Sequence, residues 1–321
     1  MKVVALLTFR DEKPFLPAWL ASVSRLADEI VALDDRSNDD GGRLVQEAGG
    51  TVASVADHPA ADGFSARRQV LLELGRQVGG THFLCLDADE VLSDPFLQNG
   101  RRLLASLEPG TSLAVEQINL WRSPTRYRRG WRYRRPLALA FRDRNGLGYE
   151  YAAIHESRIP RAAELARRSL PPAEAAILHL QFVAWHRAQV KQAWYRAREL
   201  LSGRPAGAVN ARYWFTLDSP IVRRRQMPTA WVPDHVDVAG VATAPPSWHL
   251  DELLGWLDQR GPVFFESLEI WHVPELLAAF ERAVGRPPRP HRFRTPFIVA
   301  ASEARDLVVA GARRTRRTVG R

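Results

Sequence analysis

Four short strand-like runs, Val3–Leu7, Ile30–Leu33, Thr51–Val55 and Phe83–Leu86, recur through the first ninety residues and are spaced by segments of helical period. After Asp11 or Glu12, either of which can open a helix, Phe15, Trp19, Leu20 and Val23 fall on one helical face. Asn38 or Asp39 can cap a second helix through Leu44 and Val45, closed by Gly49-Gly50. Ser65–Val78 forms a third, with Val70, Leu71 and Leu74 together and Gly79-Gly80 ending it. Strands that alternate with helices cannot pair as hairpins. They predict an α/β fold with a mostly parallel central sheet, flanked by helices through right-handed crossovers.

The chain has 321 residues, 45% of them hydrophobic, enough for one large domain or a domain with an extension. Its one cysteine, Cys85, lies inside an apolar run, which excludes an intramolecular disulfide or a cysteine-rich zinc site and fits a buried core thiol in a reducing cytosol. The apolar run after Met1-Lys2 is too short for a signal peptide, and no stretch has the uninterrupted apolar length of a membrane helix. A cytoplasmic protein is expected. Charge is divided: residues 1–120 hold 11 Lys/Arg against 18 Asp/Glu, the rest 34 against 18. The two parts therefore suit different partners, and the basic part suits nucleic acid, anionic headgroups or an anionic substrate.

The run Phe83–Leu86 stops at Asp87-Ala88-Asp89-Glu90. Carboxylates at the carboxyl end of a strand sit at the lip of an open α/β sheet, where ligands bind. Two aspartates one residue apart suit Mg²⁺ or Mn²⁺, which takes one or two carboxylates and leaves its other positions to water and phosphate oxygens. The plainer alternative is a solvated turn with Asp94 capping the next helix. Further on, Trp121–Arg135 packs seven arginines among Trp121, Tyr127, Trp131 and Tyr133. Such interleaving suits single-stranded nucleic acid, a sugar-stacking wall, or an amphipathic hairpin with a solvated basic face.

Taken in order, five segments resemble family 2 glycosyltransferases with the GT-A fold: Ala5–Glu12, Asp28–Asp39 ("DEIVALDDRSND"), Leu86–Glu90 ("LDADE"), Leu139–Arg142 and Ala153–Glu156 ("AIHE"). The last resembles the branch that modifies lipopolysaccharide cores and related acceptors. The resemblance covers roughly residues 1–160. It implies that Thr8 and Asp35 contact the donor's base and ribose and that Arg10 also binds the donor nucleotide. Arg67 or Arg68 would reach the base or diphosphate, Asp87 would face the donor, and Asp89 would ligate Mn²⁺ or Mg²⁺, with His179 as a late ligand or else a core histidine. Glu156 is then the candidate base for an inverting single displacement; the alternative for it is a surface ion pair with Arg158. Trp121, Arg129, Trp131 and His155 would line the acceptor side, aromatic faces on sugar rings and arginines on phosphates or carboxylates.

On this reading residues 1–120 form the donor half, 121–202 the acceptor half, and 203–321 a mostly helical extension after a linker at Gly203–Gly207. Leu250–Trp256, Val273–Val284 and Phe297–Ala312 have amphipathic character, a second break falls at Val241–Ser247, and Arg313–Arg317 is a basic end suited to weak contact with an anionic inner membrane face. The expected partners are a nucleoside-diphosphate sugar, UDP-sugar favoured, and a glycan, lipid-linked or small-molecule acceptor, with no nucleic acid. Competing readings are a nucleotidyltransferase or other metal-diphosphate enzyme, a nucleic-acid-binding protein built on Trp121–Arg135, and a degenerate transferase acting as a scaffold.

Overall fold

The computed structural model describes residues 1–58, 61, 63–129, 136–150, 157–217 and 223–289. The strands are β1 (Val3–Phe9), β2 (Glu29–Asp34), β3 (Thr51–Ser54), β4 (His82–Cys85), β5 (Glu90–Leu92), β6 (Ser112–Asn119), β7 (Arg126–Arg129), β8 (Pro136–Arg142), β9 (Arg167–Ser169), β10 (Ala176–His179) and β11 (Arg223–Gln226). The helices are α1 (Leu16–Val23), α2 (Gly41–Glu47), α3 (Phe64–Gln77), α4 (Asp94–Ala105), α5 (Arg161–Leu165), α6 (Trp185–Leu201), α7 (Ala206–Leu217), α8 (His249–Arg260) and α9 (Pro274–Val284).

The chain divides into two compact units, residues 1–185 with 223–244, and residues 186–222 with 245–321. In the first, the sheet order is β3-β2-β1-β4-β8-β6-β10-β5, with β9 beside β6. Strands β3, β2, β1 and β4 are parallel, as the alternation predicts, and β8 enters antiparallel to β4 and β6. Strand β1 is buried on both faces. Val3, Ala5 and Leu7 join a core with Trp19, Phe96 and Leu104, while Val4 and Leu6 join another with Leu71, Phe83 and Phe141. Two-sided burial is why β1 is a continuous apolar run with no alternation. A Cβ at Gly75 would lie 2.7 Å from the Phe83 ring, so a glycine there lets α3 settle against β4.

The first helix begins at Leu16, later than Asp11 or Glu12 suggests. Asp11 has φ 51°, donates its N–H to Ser37 Oγ at 3.0 Å, and accepts the Asn38 N–H at 2.5 Å. Its residues tie the β1–α1 loop to the β2–α2 loop. Asp39 completes the tie by accepting the Lys13 and Gly41 N–H groups, each at 2.9 Å. Asp34 accepts the Ser37 N–H at 2.9 Å, a turn-forming role. Asp94 is the first residue of α4 and its carboxylate accepts from Gln98 within the helix, so the cap position belongs to Ser93.

Among its described residues the second unit is helical. Its core gathers Val190, Trp194, Val209, Leu253, Phe265 and Ile270. Trp194 donates its indole N–H to Glu252 at 2.5 Å, and Asn210 ties the Ser267 carbonyl (2.9 Å) to the Glu269 N–H (3.0 Å). The expected linker at Gly203–Gly207 is instead a tight turn joining α6 to α7 inside this unit: Gly203 has φ 88° and Arg204 N–H returns to the Glu199 carbonyl at 3.1 Å. The division falls after Trp185, while the break at Val241–Ser247 does coincide with a crossing between units. Helices α8 and α9 match the expected ones, and α8 runs on to Arg260. Phe297–Ala312 and Arg313–Arg317 lie outside the described residues. Among the described residues no helix is long and apolar enough to cross a membrane.

Candidate active site

Strand β1 neighbours β2 on one side and β4 on the other, so the direction of winding reverses between β1 and β4. Crevices at the carboxyl ends of such strands are where open α/β sheets bind ligands. A cavity of about 130 Å³ lies there, lined by Leu6 and Thr8 of β1, Cys85, Leu86 and Asp87 of and after β4, Arg67, Arg68 and Leu71 of α3, and Tyr149 and Arg158. Pockets that enclose a whole drug-sized ligand run to roughly 300–1,000 Å³, so this one has room for one ring-sized part of a larger molecule.

Four expected donor residues therefore line one cavity: Thr8, Arg67, Arg68 and Asp87. Asp35 joins them through Arg67, whose guanidinium donates to the Asp35 carboxylate at 2.6 Å, with both side chains mostly buried. Arg67 also reaches the Ala61 carbonyl at 3.3 Å, and Arg68 donates to the Ser157 carbonyl. Arg10 follows β1, half-buried, and is not among the lining residues.

The acidic turn is organised by a residue that sequence reasoning left without a role. Glu90 is fully buried, and its carboxylate accepts the Asp87 N–H at 3.0 Å, Gln117 Nε2 at 2.5 Å, and Arg158 at 2.7 and 3.0 Å. Arg158 also reaches Asp87 Oδ2 at 3.3 Å. Burial works against the Arg158 charge, but Glu90 and Asp87 outweigh it and raise its pKa above the ordinary arginine value. Arg158 is thus 12% exposed and committed to the acidic turn, where the sequence offered it as a surface partner for Glu156. The signal available beforehand was an acid directly before the apolar Val91-Leu92.

Asp89, the residue before Glu90, is 6% exposed. Its Oδ2 lies 3.4 Å from His179 Nε2, at the end of β10, and its carbonyl accepts the Leu180 N–H at 2.8 Å. His179 Nδ1 is 2.7 Å from Asn119 Oδ1. With the Nδ1 proton donated to that oxygen, Nε2 presents a lone pair toward the Asp89 carboxylate, the arrangement by which an outer partner orients a ligating histidine. A carboxylate and an imidazole suit Mn²⁺ better than Mg²⁺, which favours oxygen alone. Among the described residues no group of three or more His, Cys, Asp or Glu side chains is gathered to hold a metal, so further ligands would be water or substrate oxygens.

Trp121 is not an open acceptor wall. It is 3% exposed, its ring lies 5.2 Å from Phe182 and 5.0 Å from Trp185, and the Arg128 guanidinium sits 4.0 Å from its centroid. No face is left for a sugar. Arg129 ends β7; Trp131, His155 and Glu156 lie outside the described residues.

Cys85 is buried at 6% exposure, and burial pushes its thiol up to about 12. A thiol shifted this far has on the order of a thousandth of the thiolate of a free one near neutrality. Labelling by a disulfide reagent at pH 8 should therefore be at least a hundredfold slower in native protein than in guanidinium. Equal rates would show that the cavity wall is open at Cys85.

No protein-family model matches the chain. Among solved structures, glucosyl-3-phosphoglycerate synthase from Mycobacterium tuberculosis in complex with phosphoglyceric acid is similar over 37% of this chain and 44% of that one, at 22% identity and a TM-score of 0.27. The same enzyme in complex with Mn²⁺, UDP and glucosyl-3-phosphoglycerate gives 22% identity over the same shares and a TM-score of 0.26. The chain spans less than half the length of these structures. A likeness this partial assigns neither an activity nor a residue to the chain.

Proposed function

We propose that this chain is a metal-dependent glycosyltransferase of family 2 type with a GT-A nucleotide-binding unit, moving a sugar from a nucleoside diphosphate, UDP favoured, to an acceptor hydroxyl with inversion. The observation that carries the reading is the convergence of Thr8, Arg67, Arg68 and Asp87 on one cavity at the β1/β4 crevice, with the Asp89–His179 pair two residues beyond. Asp35, held by Arg67, offers carboxylate oxygens to a base N–H or a ribose hydroxyl. Arg68 brings positive charge to the wall where a diphosphate would lie, while the charge of Arg158 is taken up by Glu90 and Asp87. Asp89 and His179 are the residues to hold Mn²⁺, which would neutralise charge on the departing diphosphate. Glu156 remains the proposed base, a carboxylate able to take the acceptor proton if a closing site raises its pKa. The single thiol fits work in a reducing cytoplasm.

A thermal-shift panel of UDP, GDP, dTDP and CMP, each with and without Mn²⁺, tests this. A ligand that binds only folded protein raises the melting temperature. A Mn²⁺-dependent rise with one nucleoside diphosphate is expected, and no rise with any of them refutes the reading. Arg67→Ala should weaken that nucleotide at least tenfold, the size of a lost charge-assisted contact, measured by titration calorimetry. Unchanged affinity would remove Arg67 and Asp35 from the donor site.

A further inference from the structure

Strands β7 and β11 form a two-stranded antiparallel ribbon from segments nearly a hundred residues apart, with Arg223 opposite Arg129, Arg224 opposite Arg128, Arg225 opposite Tyr127 and Gln226 opposite Arg126. Like charges directly opposite across a ladder are destabilising. A ribbon this rich in arginine, with Arg126, Arg224 and Arg225 exposed and in no ion pair among the described residues, holds positive charge that an anion would offset.

Side chains directly opposite, or two apart on one strand, share a face. Arg126, Arg128 and Arg224 therefore share one face, and Tyr127 and Arg225 the other. The first face lies over an aromatic layer. Arg128 is stacked 4.0 Å from Trp121 and Arg224 lies 5.9 Å from it; Trp121 meets Phe182 at 5.2 Å, and Phe182 meets His179 edge-on at 6.0 Å. Leu120, one residue past Asn119, bridges to Tyr127, so the ribbon springs from the end of β6 that orients His179. The other face is occupied differently, with Tyr127 against Trp231 at 6.0 Å.

We propose that Arg126 and Arg224, backed by Arg128, seat an anionic group, phosphate or carboxylate, carried by the acceptor. The proposal rests on the transferase reading and names its acceptor class: an acidic or phosphorylated sugar. Planar guanidinium forks match such oxygens in pairs. Single-stranded nucleic acid fits less well, because it needs open ring faces for base stacking and Trp121 is buried.

The test is titration of glucose 6-phosphate, with glucose as the neutral control, into full-length protein saturated with UDP and Mn²⁺. Glucose 6-phosphate should bind at least tenfold tighter than glucose. Arg126→Gln/Arg224→Gln should lose at least tenfold of that affinity, while Arg225→Gln on the opposite face stays within twofold. The melting temperature of the double variant should hold or rise, since like charges are removed, and its Mn²⁺–UDP shift should match wild type, which separates a lost seat from a lost fold. Equal loss in Arg225→Gln, no preference for the phosphorylated sugar, or a double variant that loses only binding to phosphatidylglycerol vesicles or to an oligonucleotide would overturn the proposal. A wild type without the Mn²⁺–UDP shift removes the transferase reading itself and with it the acceptor role, even if the sugar phosphate binds.

Discussion

Glu90→Ala is expected to destabilise the first unit by about 3–5 kcal/mol, the range for removing one partner of a buried ion pair. The cause is what remains. Arg158 keeps its charge in a buried position, because no accessible pH neutralises an arginine, and the Asp87 N–H and Gln117 amide lose their acceptor as well. For a unit of this size each kcal/mol moves the melting temperature by roughly 2–4 °C, so a fall of about 6–20 °C is expected by calorimetry. Glu90→Gln/Arg158→Met should recover at least half of it, because replacing both charges removes the stranded one. If Glu90→Ala melts within about 2 °C of wild type, the pair is not the anchor of the acidic turn. If the double variant is as unstable as Glu90→Ala, the loss comes from packing rather than from an unpaired charge.

Strands β1, β2 and β4 were legible because each is an apolar run, that of β2 reaching an acid at Asp34 and that of β4 stopping at Asp87, and burial on both faces leaves little alternation to misread. That Thr8 and Asp87 would meet at one cavity was legible too, because they stand where β1 and β4 end and strand ends in this topology converge, while Asp35 follows β2 and reaches the cavity only through Arg67. What the sequence withheld are contacts made across long separations. Trp121 looks like an exposed stacking wall because arginines surround it in the chain, but Phe182 and Trp185, some sixty residues on, cover its ring. Arg158 looks like the neighbour of Glu156, yet its partners Glu90 and Asp87 are about seventy residues earlier. Strand β11 has no apolar alternation at all, and only its pairing with β7 gives its arginines a place. The Gly203 turn misleads in the opposite sense: glycine and proline mark a break in the chain, and helix–helix turns use the same residues as linkers between domains.

Asp89→Asn is expected to abolish the Mn²⁺-dependent part of nucleoside-diphosphate binding and to lower turnover by about a hundred- to a thousandfold, the order seen when one source of charge stabilisation is removed. Asparagine keeps the shape and the backbone contact to Leu180 but removes the anionic oxygen facing His179. His179→Ala and Asn119→Ala should grade below it. An outer partner that orients a histidine ligand is worth about 10–100-fold in metal affinity, and Asn119 would act on a bound ion only through His179. The order Asp89→Asn, His179→Ala, Asn119→Ala in Mn²⁺ affinity separates a metal centre from a plain ion pair. An ion pair would lose stability in all three variants and show no change in Mn²⁺ titration by electron paramagnetic resonance. On the proposed metal site, Mn²⁺ should also support binding better than Mg²⁺ in wild type and lose that advantage in His179→Ala, because the imidazole would be the ligand that distinguishes the two ions. Nucleotide binding without metal should survive in Asp89→Asn, since Thr8 and Arg67 line the β1 and α3 side of the cavity and Asp35 pairs with Arg67. A Mn²⁺-dependent shift that persists in Asp89→Asn would place the metal elsewhere and return Asp89 and His179 to the fold.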